Sequence, residues 1–327
     1  MSSRELNNSS SLILNSSFLK SQALALGFSR VGFAPAEPVP DDVMAAYEQW
    51  LREGRQGEMH YMENHLELRR DPRLLLPGAK TVVSLAMSYH PGDRSTQKGI
   101  AWYAQGRDYH DVLRSRLQQL TNVISPLGGT EGVRVCVDTA PIMEKYWAWR
   151  CGLGWIGRHT QLIIPGQGSA FFLCELLLTA EVDSYDTPLP FGGGAGGRGA
   201  FRGRCGSCHR CIDVCPTGAL SEQGLDARRC LSYLTIEHRG ELPEDVRPLL
   251  KECFYGCDRC LRACPHMTHA QGTSVEEFRP SSSLLEMTPA DWQRLTPEQY
   301  RELFRGSAVK RAKYEGLRRN IQMRDEE

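Results

Sequence analysis

The stretch that decides the fold of the second half of this chain reads C-G-S-C-H-R-C-I-D-V-C-P-T-G-A-L, residues 205–220. Its four cysteines follow the pattern C-x2-C-x2-C-x3-C-P, which is typical of bacterial ferredoxins. Three cysteines this close together can hold one corner of a cubane iron–sulfur cluster, whereas the fourth is placed to bind a second cluster. The pattern therefore predicts another set of cysteines further along the chain.

That second set is present as C-D-R-C-L-R-A-C-P, residues 257–265. It supplies Cys257, Cys260 and Cys264, and it needs one more thiolate, for which the spacing leaves Cys230 and Cys253 as open candidates. Zinc sites would use C-x2-C pairs, but they do not explain two C-x3-C-P ends. We therefore predict two [4Fe-4S] clusters.

The composition of the chain is that of a globular protein with more than one domain. It has 327 residues, of which 41% are hydrophobic and 24% charged, and its formal net charge is zero. A polyanionic partner must then meet a local basic patch. The twelve cysteines do not indicate a disulfide scaffold, because nine of them crowd between residues 205 and 264 of a long chain.

The first residues, M-S-S-R-E-L-N-N-S-S-S, are polar and contain neither a secretory h-region nor a twin-arginine pair. The most apolar later run, residues 170–180, is too short to span a bilayer and contains Glu175. We expect a cytoplasmic protein in a reducing compartment, with no membrane partner.

The first part of the chain, residues 1–190, alternates helical and strand patterns and predicts an α/β (mixed α+β) domain. The predicted helices cover residues 43–51, after an N-cap signal at residues 41–42, and residues 109–127 and 141–150. The predicted strands cover 81–89, 133–137, 162–164 and 170–178.

Three further segments follow. Residues 191–204 are glycine-rich and predict a linker; alternatively, Arg198, Arg202 and Arg204 contact a polyanion. Residues 205–272 predict a ferredoxin-like domain with two [4Fe-4S] clusters, and residues 273–327 a short C-terminal helical segment.

Several motifs together resemble the epoxyqueuosine reductase family. Besides the two cysteine runs, they are V-D-T-A-P-I-M-E-K-Y-W-A-W-R-C-G-L-G-W-I-G-R-H-T (137–160), R-C-L-S-Y-L-T-I-E-H-R-G (229–240), G-E-M-H-Y-M (57–62) and Y-A-Q-G-R-D-Y-H-D-V-L (103–113). They run in the order of the family over nearly the whole chain.

The resemblance implies an oxidoreductase that reduces the epoxide of epoxyqueuosine to queuosine, the last step of queuosine biosynthesis, at the wobble position of tRNAs with a GUN anticodon. It implies cobalamin in the first domain, with a cob(II)alamin resting state, that receives electrons from the two clusters. By the same resemblance, one cluster is held by Cys205, Cys208, Cys211 and Cys264, and the other by Cys215, Cys230, Cys257 and Cys260. Cys253 is then a spare thiol.

Asp138 is the candidate proton donor, because the general acid of the family falls at this V-D position. The alternative is a helix N-cap, which aspartate favours and which Pro141 would follow closely. An acid that works near neutral pH needs a raised pKa, so we expect the Asp138 carboxyl to be buried and poorly hydrated.

The resemblance also implies a set of cobalamin contacts. The family usually has Lys-Asn where this chain has Arg158-His159, and it keeps cobalt without a protein imidazole, so we do not expect His159 to bind cobalt. The implied contacts are Arg69, Ala101, Tyr103, Asp138, Arg158, His159, Thr160, Ser169, Leu173 and Ser232.

The C-terminal segment is a candidate surface for tRNA. Between residues 305 and 324 it carries seven Lys or Arg (305, 310, 311, 313, 318, 319 and 324) and one acid, Glu315; the alternative is an ordinary solvated helix. Many members of the family continue here into a helical repeat domain, so we expect reduced tRNA contacts. We also expect a monomer and an electron donor that the sequence does not identify.

Two other functions remain open at this point. A cobalamin-dependent reductive dehalogenase would share the cofactors, but it uses a tyrosine where this chain has Asp138 and its exported forms carry a twin-arginine signal. A non-catalytic iron–sulfur electron-transfer protein would not retain a corrinoid.

Overall fold

A computed structural model describes residues 13–125, 132–189 and 204–325. The predicted glycine-rich linker, with Arg198 and Arg202, therefore lies outside the described residues except for Arg204. The guanidinium of Arg204 lies 5.7 Å from the centre of the Trp155 ring.

The first part of the chain is built on a four-stranded antiparallel sheet with the order β2-β3-β8-β5. These strands are β2 (Arg30–Pro35), β3 (Thr81–Ser88), β8 (Phe171–Leu178) and β5 (Val133–Cys136). The register pairs Thr81 with Leu178, and Cys136 with Glu175. The predicted mixed class is confirmed, and the central sheet is of the antiparallel, α+β kind.

Both faces of this sheet are covered, which explains why β3 and β8 are almost continuously apolar. Side chains that alternate along β3 enter two different cores: Val83 and Leu85 enter one, Val82 and Ala86 the other. The first core contains α1 (Ser16–Ala25) and α4 (Tyr109–Ile124), and the second contains α2 (Asp41–Arg52) and α5 (Glu144–Arg150).

The remaining elements are short. The strands are β1 (Ile13–Leu14), β4 (Gly99–Ile100), β6 (Trp155–Ile156), β7 (Leu162–Ile163), β9 (Glu181–Val182), β10 (Leu220–Ser221), β11 (Gly224–Leu225) and β12 (Cys253–Tyr255). The helices are α3 (Leu66–Arg70), α6 (Arg210–Asp213), α7 (Leu231–Ile236), α8 (Arg259–Arg262), α9 (Ser282–Leu285), α10 (Pro289–Gln293), α11 (Pro297–Leu303) and α12 (Lys313–Asp325). Within the described ranges, every helix is too short or too polar to cross a bilayer.

The cysteine-rich segment (residues 205–272) packs closely on the first part of the chain. Its strand β12 pairs in parallel with β4, and the indole of Trp50 donates a hydrogen bond of 2.7 Å to the carbonyl of Leu225. Phe254 and Tyr255 of β12 share one apolar core with Ile100 and with residues of the C-terminal segment, Trp292 among them. The three parts of the chain are thus joined by a common core.

Most predicted elements are confirmed, with shifted ends. The predicted helix at 141–150 begins three residues late, at Glu144, because residues 138–142 form a bent loop. This segment, residues 138–143, is called the Asp138 loop below.

Candidate active site

Asp138 lies in the loop between β5 and α5, at an open cleft. It is not an N-cap, since α5 begins six residues later and its N-cap position is Met143. Its φ is 51°, a left-handed conformation that non-glycine residues adopt at some cost. Its side chain is 54% exposed, so the carboxyl faces the cleft rather than the core.

Two side chains from the start of α4 hold the Asp138 carboxylate. The Tyr109 hydroxyl donates to Asp138 Oδ2 at 2.8 Å, and His110 Nε2 lies 3.0 Å from the same oxygen. His110 Nδ1 lies 2.7 Å from Asp108 Oδ1, so both ring nitrogens face carboxylates. An imidazole can donate on both sides only when it is protonated, and the hydrogen bonds from Asp108 and Asp138 raise the pKa of His110 to about 9.

The expected rise in the pKa of Asp138 is wrong for the structure described. Burial raises this pKa, but the hydrogen bonds from His110 and Tyr109 and the charge of His110 outweigh that effect. The net result is a pKa below the usual value of 3.8. At neutral pH the proton of this pair therefore resides on His110, and Asp138 is a carboxylate.

The cleft beside Asp138 has a second wall that joins the two ends of the chain. The guanidinium of Arg311 lies 5.5 Å from the centre of the Tyr61 ring and donates two hydrogen bonds, of 2.9 and 2.8 Å, to Glu237. The charge of Arg311 lowers the pKa of Asp138, so it acts on the same site. Tyr61 is 47% exposed, unusually open for a large apolar side chain.

The motif at residues 57–62 is fixed to the cysteine-rich segment, which explains its glycine. A Cβ at Gly57 would stand 2.5 Å from the Tyr233 hydroxyl, and Gly57 has a φ of 61°. The N–H of Glu58 donates to that hydroxyl at 2.8 Å, while the Glu58 carboxylate pairs with His238 at 2.7 Å. These contacts place Tyr61 at the cleft.

The structure brings four of the predicted cluster cysteines together around Cys211. Burial raises the pKa of Cys211 to about 11. Three other sulfurs lie close enough to raise it further, namely those of Cys205, Cys264 and Cys208. The electrostatic effects of Cys205 and Cys208 reach Cys264 as well.

The other four predicted ligands form a neighbouring group. Burial raises the pKa of Cys260 to about 12, and the sulfurs of Cys230, Cys211 and Cys215 add to this rise. Cys257 lies beside Cys260, and a hydrogen bond with Cys253 raises the pKa of Cys257. Both candidates that spacing left open, Cys230 and Cys253, thus lie near this group. Among the described residues, no three His, Cys, Asp or Glu side chains converge on a single metal ion.

Some of the predicted cobalamin contacts lie at the cleft. Tyr103 is near enough to Asp138 for that charge to raise its pKa, although burial is the larger cause. Ala101 is buried, and its N–H donates 2.8 Å to the carbonyl of Tyr255. Leu173, in β8, is partly buried against the second core. Ser232 is the second residue of α7, and its N–H donates to the Cys230 sulfur.

A second set surrounds His159, which is buried. Its Nδ1 accepts the N–H of Gln161 at 3.1 Å, and its Nε2 lies 3.5 Å from the hydroxyl of the buried Ser169. Burial lowers its pKa to about 4. Thr160 adopts a φ of 65° in the same turn.

Two predicted arginine contacts are engaged with protein groups. Arg158 donates to Glu222 and, at 2.8 Å, to the carbonyl of Gly206, and so joins the first part of the chain to the cysteine-rich segment. Arg69 donates at 3.3 Å to the carbonyls of Asn64 and Tyr61. As cofactor contacts, both stay predictions.

The basic residues of the C-terminal segment fall into two classes. Arg319 is structural: it donates to the carbonyls of Leu234, His238 and Gly240 at 3.1, 3.0 and 2.6 Å. Lys310 and Lys313 are exposed. A cavity of about 550 Å³ between α11 and α12 adds Arg301 and Arg318 to this surface.

Comparisons with known proteins identify the family. A family model described as "Epoxyqueuosine reductase QueG, DUF1730" matches residues 69–139, and one described as a "4Fe-4S double cluster binding domain" matches 204–267. The epoxyqueuosine reductase of Cellulophaga algicola is 39% identical over 94% of this chain and 97% of its own. The chain belongs to the epoxyqueuosine reductase family. The enzymes of Leadbetterella byssophila and Escherichia coli are 41% and 37% identical, over 93% of this chain and 96% and 78% of their own.

Solved structures of the family have the same fold. An epoxyqueuosine reductase crystallised with a tRNA-Tyr epoxyqueuosine-modified stem loop matches with a TM-score of 0.81 and 27% identity, over 94% of this chain and 80% of that one. The Bacillus subtilis enzyme, solved with its catalytic aspartate loop swung out of the active site, matches with a TM-score of 0.79 and 26% identity, over the same shares.

Sequence reasoning missed several residues around Asp138. Tyr109 and His110 lie in the 103–113 motif, and Glu144 lies in the 137–160 motif. The motifs therefore included these residues but did not indicate that they contact Asp138. Nothing in the local sequence linked Arg311 to Tyr61, because 250 residues separate them.

Proposed function

We propose that this reductase converts the epoxide of epoxyqueuosine in tRNA to the alkene of queuosine, with Asp138 as the group that delivers a proton. The reaction takes up two electrons and two protons, breaks both C–O bonds of the epoxide and releases its oxygen as water. The observation that carries the proposal is the Asp138 carboxylate, open to the cleft yet held by Tyr109 and by a protonated His110.

The eight clustered cysteines are proposed to hold the two [4Fe-4S] clusters. Cys205, Cys208, Cys211 and Cys264 would bind one, and Cys215, Cys230, Cys257 and Cys260 the other. The mutual influence of these sulfurs supports two adjacent groups of ligands, and the effect of Cys211 on Cys260 means that the two proposed clusters would be neighbours. Electrons would come from a separate reduced carrier.

We propose that cobalamin binds beside Asp138. The Asp138 side chain stays 54% exposed despite its hydrogen bonds, and Tyr109, which holds it, stacks on the buried Phe172 with 4.4 Å between ring centres, so this side of the site is rigid. Arg69, Ala101, Tyr103, Arg158, His159, Thr160, Ser169, Leu173 and Ser232 are the proposed contacts. Bound cobalamin, with cob(II)alamin as its resting state, would supply the reducing chemistry that side chains lack.

The proton path follows from the protonation states. His110 carries the proton at neutral pH, and its Nε2 lies 3.0 Å from Asp138. The oxygen freed from the ring is far more basic than a carboxylate, so the proton on His110 can move to Asp138 and from Asp138 to that oxygen, which leaves His110 neutral until it takes up another proton. Tyr109 keeps the carboxylate oriented while this occurs.

The substrate would reach the cleft across the C-terminal segment. Arg311 and Tyr61 border Asp138, and Lys310 is exposed nearby in sequence. The related reductase solved with a modified tRNA stem loop supports a tRNA substrate, and we propose tRNAs with a GUN anticodon. The swung-out loop of the Bacillus subtilis enzyme leads us to infer that the Asp138 loop also has two positions.

The remaining assignments are proposals of the same kind. The chain would act as a cytoplasmic monomer, with residues 1–190 as the cofactor and substrate domain, 191–204 as a linker, 205–272 as the cluster domain and 273–327 as the tRNA-contacting segment.

The deciding experiment is an anaerobic assay. Protein with reconstituted clusters, cobalamin, a low-potential reductant and epoxyqueuosine-containing tRNA should yield queuosine in the digested nucleosides. Absence of queuosine with all cofactors bound would contradict the proposal, and failure to retain any corrinoid would favour an electron-transfer role.

A further inference from the structure

The backbone of the Asp138 loop is held at its first residue by a side chain that the proposed mechanism does not use; Arg114 also donates to Thr139 Oγ1 of this loop, at 3.2 Å. The N–H of Asp138 donates a hydrogen bond of 2.7 Å to Glu144 Oε1, across six residues. The loop needs such support, because its first residue has a φ of 51° and a side chain, a combination that costs of order 1 kcal/mol or more.

Glu144 is itself held in an unusual environment. The residue keeps some exposed surface, but its carboxyl is enclosed by protein, and burial raises its pKa to about 8, with the charge of Asp138 adding to the rise. At neutral pH this carboxyl is therefore mostly neutral, and it accepts the Asp138 N–H through one oxygen.

A second carboxyl lies behind Glu144 in the sheet. Glu175, in the middle of β8, is fully buried and pairs with Cys136 of β5. Its Oε1 accepts the hydroxyl of Ser84 at 3.0 Å, while its Oε2 has no hydrogen-bond partner among the described residues. Burial and the nearby Glu144 carboxyl raise the pKa of Glu175, so Glu175 is itself neutral and adds no charge beside Glu144.

We propose that Glu144 is a positioning residue: it latches the Asp138 loop by its hydrogen bond to the Asp138 N–H, and so keeps the Asp138 side chain between Tyr109 and His110. This inference rests on the proposed role of Asp138. Release of the latch turns the carboxylate away from His110 and interrupts the proton path.

The test compares Glu144→Gln with Glu144→Met. The two replacements have similar length, but only glutamine keeps an oxygen that accepts the Asp138 N–H. Hydrogen exchange of the Asp138 amide, resolved by fragmentation mass spectrometry on the cluster-loaded protein, should be about tenfold faster in Glu144→Met and within about twofold of wild type in Glu144→Gln.

Turnover should follow the same order. We expect kcat to fall about tenfold in Glu144→Met, with the KM for tRNA and the cluster content unchanged, and to stay near wild type in Glu144→Gln. Glu144→Asp, which withdraws the oxygen by one methylene, should resemble Glu144→Met and serves if Glu144→Met does not fold.

Equal exchange rates in all these variants would overturn the latch, and so would equal losses in Glu144→Gln and Glu144→Met. Asp138→Asn separates this result from the proposed function, because it keeps the backbone N–H. It should keep the slow exchange and lose turnover; full turnover in Asp138→Asn would remove the role of Asp138 while leaving the exchange result on Glu144 intact.

Discussion

The cysteine-rich segment and the surroundings of Asp138 are specified by the sequence in different ways. All eight proposed cluster ligands fall within residues 205–264, at spacings set by short turns and helices. The groups that act on Asp138 come from residue 61 to residue 311. Metal ligands are therefore encoded locally, whereas the behaviour of a proton donor depends on contacts between distant segments.

The largest expected effect tests the surroundings of Asp138. Asp138→Asn keeps the loop but removes the carboxylate that passes the proton, so we expect queuosine formation to fall about 100- to 10,000-fold. Single-turnover assays with nucleoside analysis measure this. Iron content and the absorption spectrum should match wild type, and turnover within threefold of wild type would show that the proton reaches the substrate by another route.

The cysteine-rich segment is tested by replacing Cys230 and Cys253 in turn, because the spacing of the cysteines left both as candidates for the remaining cluster ligand. Cys230→Ser should lose about half of the bound iron, since one of two clusters loses a ligand, whereas Cys253→Ser should keep all of it. Iron and sulfide analysis of anaerobically reconstituted protein distinguishes them. The reverse result would make Cys253 the ligand and Cys230 the spare thiol.

A smaller effect should distinguish the basic residues of the C-terminal segment that stabilise the fold from those that we propose to contact tRNA. Arg319→Met leaves three carbonyls without their donor, so we expect it to lower the free energy of unfolding by about 2–3 kcal/mol. Lys310→Ala should leave stability unchanged and reduce the salt dependence of tRNA binding by about one unit of slope. Thermal melts and binding at several salt concentrations check this pair, and a stability loss in Lys310→Ala would contradict the division.

The smallest effect is a pH dependence of stability. Because the pKa of His110 rises on folding from 6.5 to about 9, its contribution is complete below about pH 6.5 and is lost as pH rises through 9. It also fades in acid, as Asp108 and Asp138 become protonated. Melting of His110→Gln and wild type should differ most between about pH 5 and 6.5 and converge near pH 10. A constant difference would show that His110 is neutral here.

The sequence predicted the mixed fold and most of its elements because periodic apolar patterns report local structure and burial together. Strand 81–89 illustrates this, since it matches the observed element within one residue at each end. The helix predicted at 43–51 begins two residues earlier than expected, at Asp41, with Pro40 rather than an aspartate at its N-cap. Residues 141–143 were interpreted as the start of a helix because proline at 141 suits a first helical turn. The competing bond from the Asp138 N–H to Glu144 could not be read from the sequence.

The pKa of Asp138 shows a second limit of prediction from the sequence. A carboxyl in a cleft was expected to have a raised pKa, but two donors at the start of α4 reverse the sign. Spacing along the chain does not show that Tyr109 and His110 point at Asp138, since 28 residues separate His110 from it. Such effects depend on tertiary contacts, which composition and motifs do not contain.

The common core formed by Ile100, Tyr255 and Trp292 has a consequence for protein engineering. Because strand β12 pairs with β4 of the first part of the chain, we expect that the cysteine-rich segment would not fold if it were moved alone onto another protein. Chimeras between relatives should therefore exchange β4, β12 and the C-terminal helices as one inherited unit.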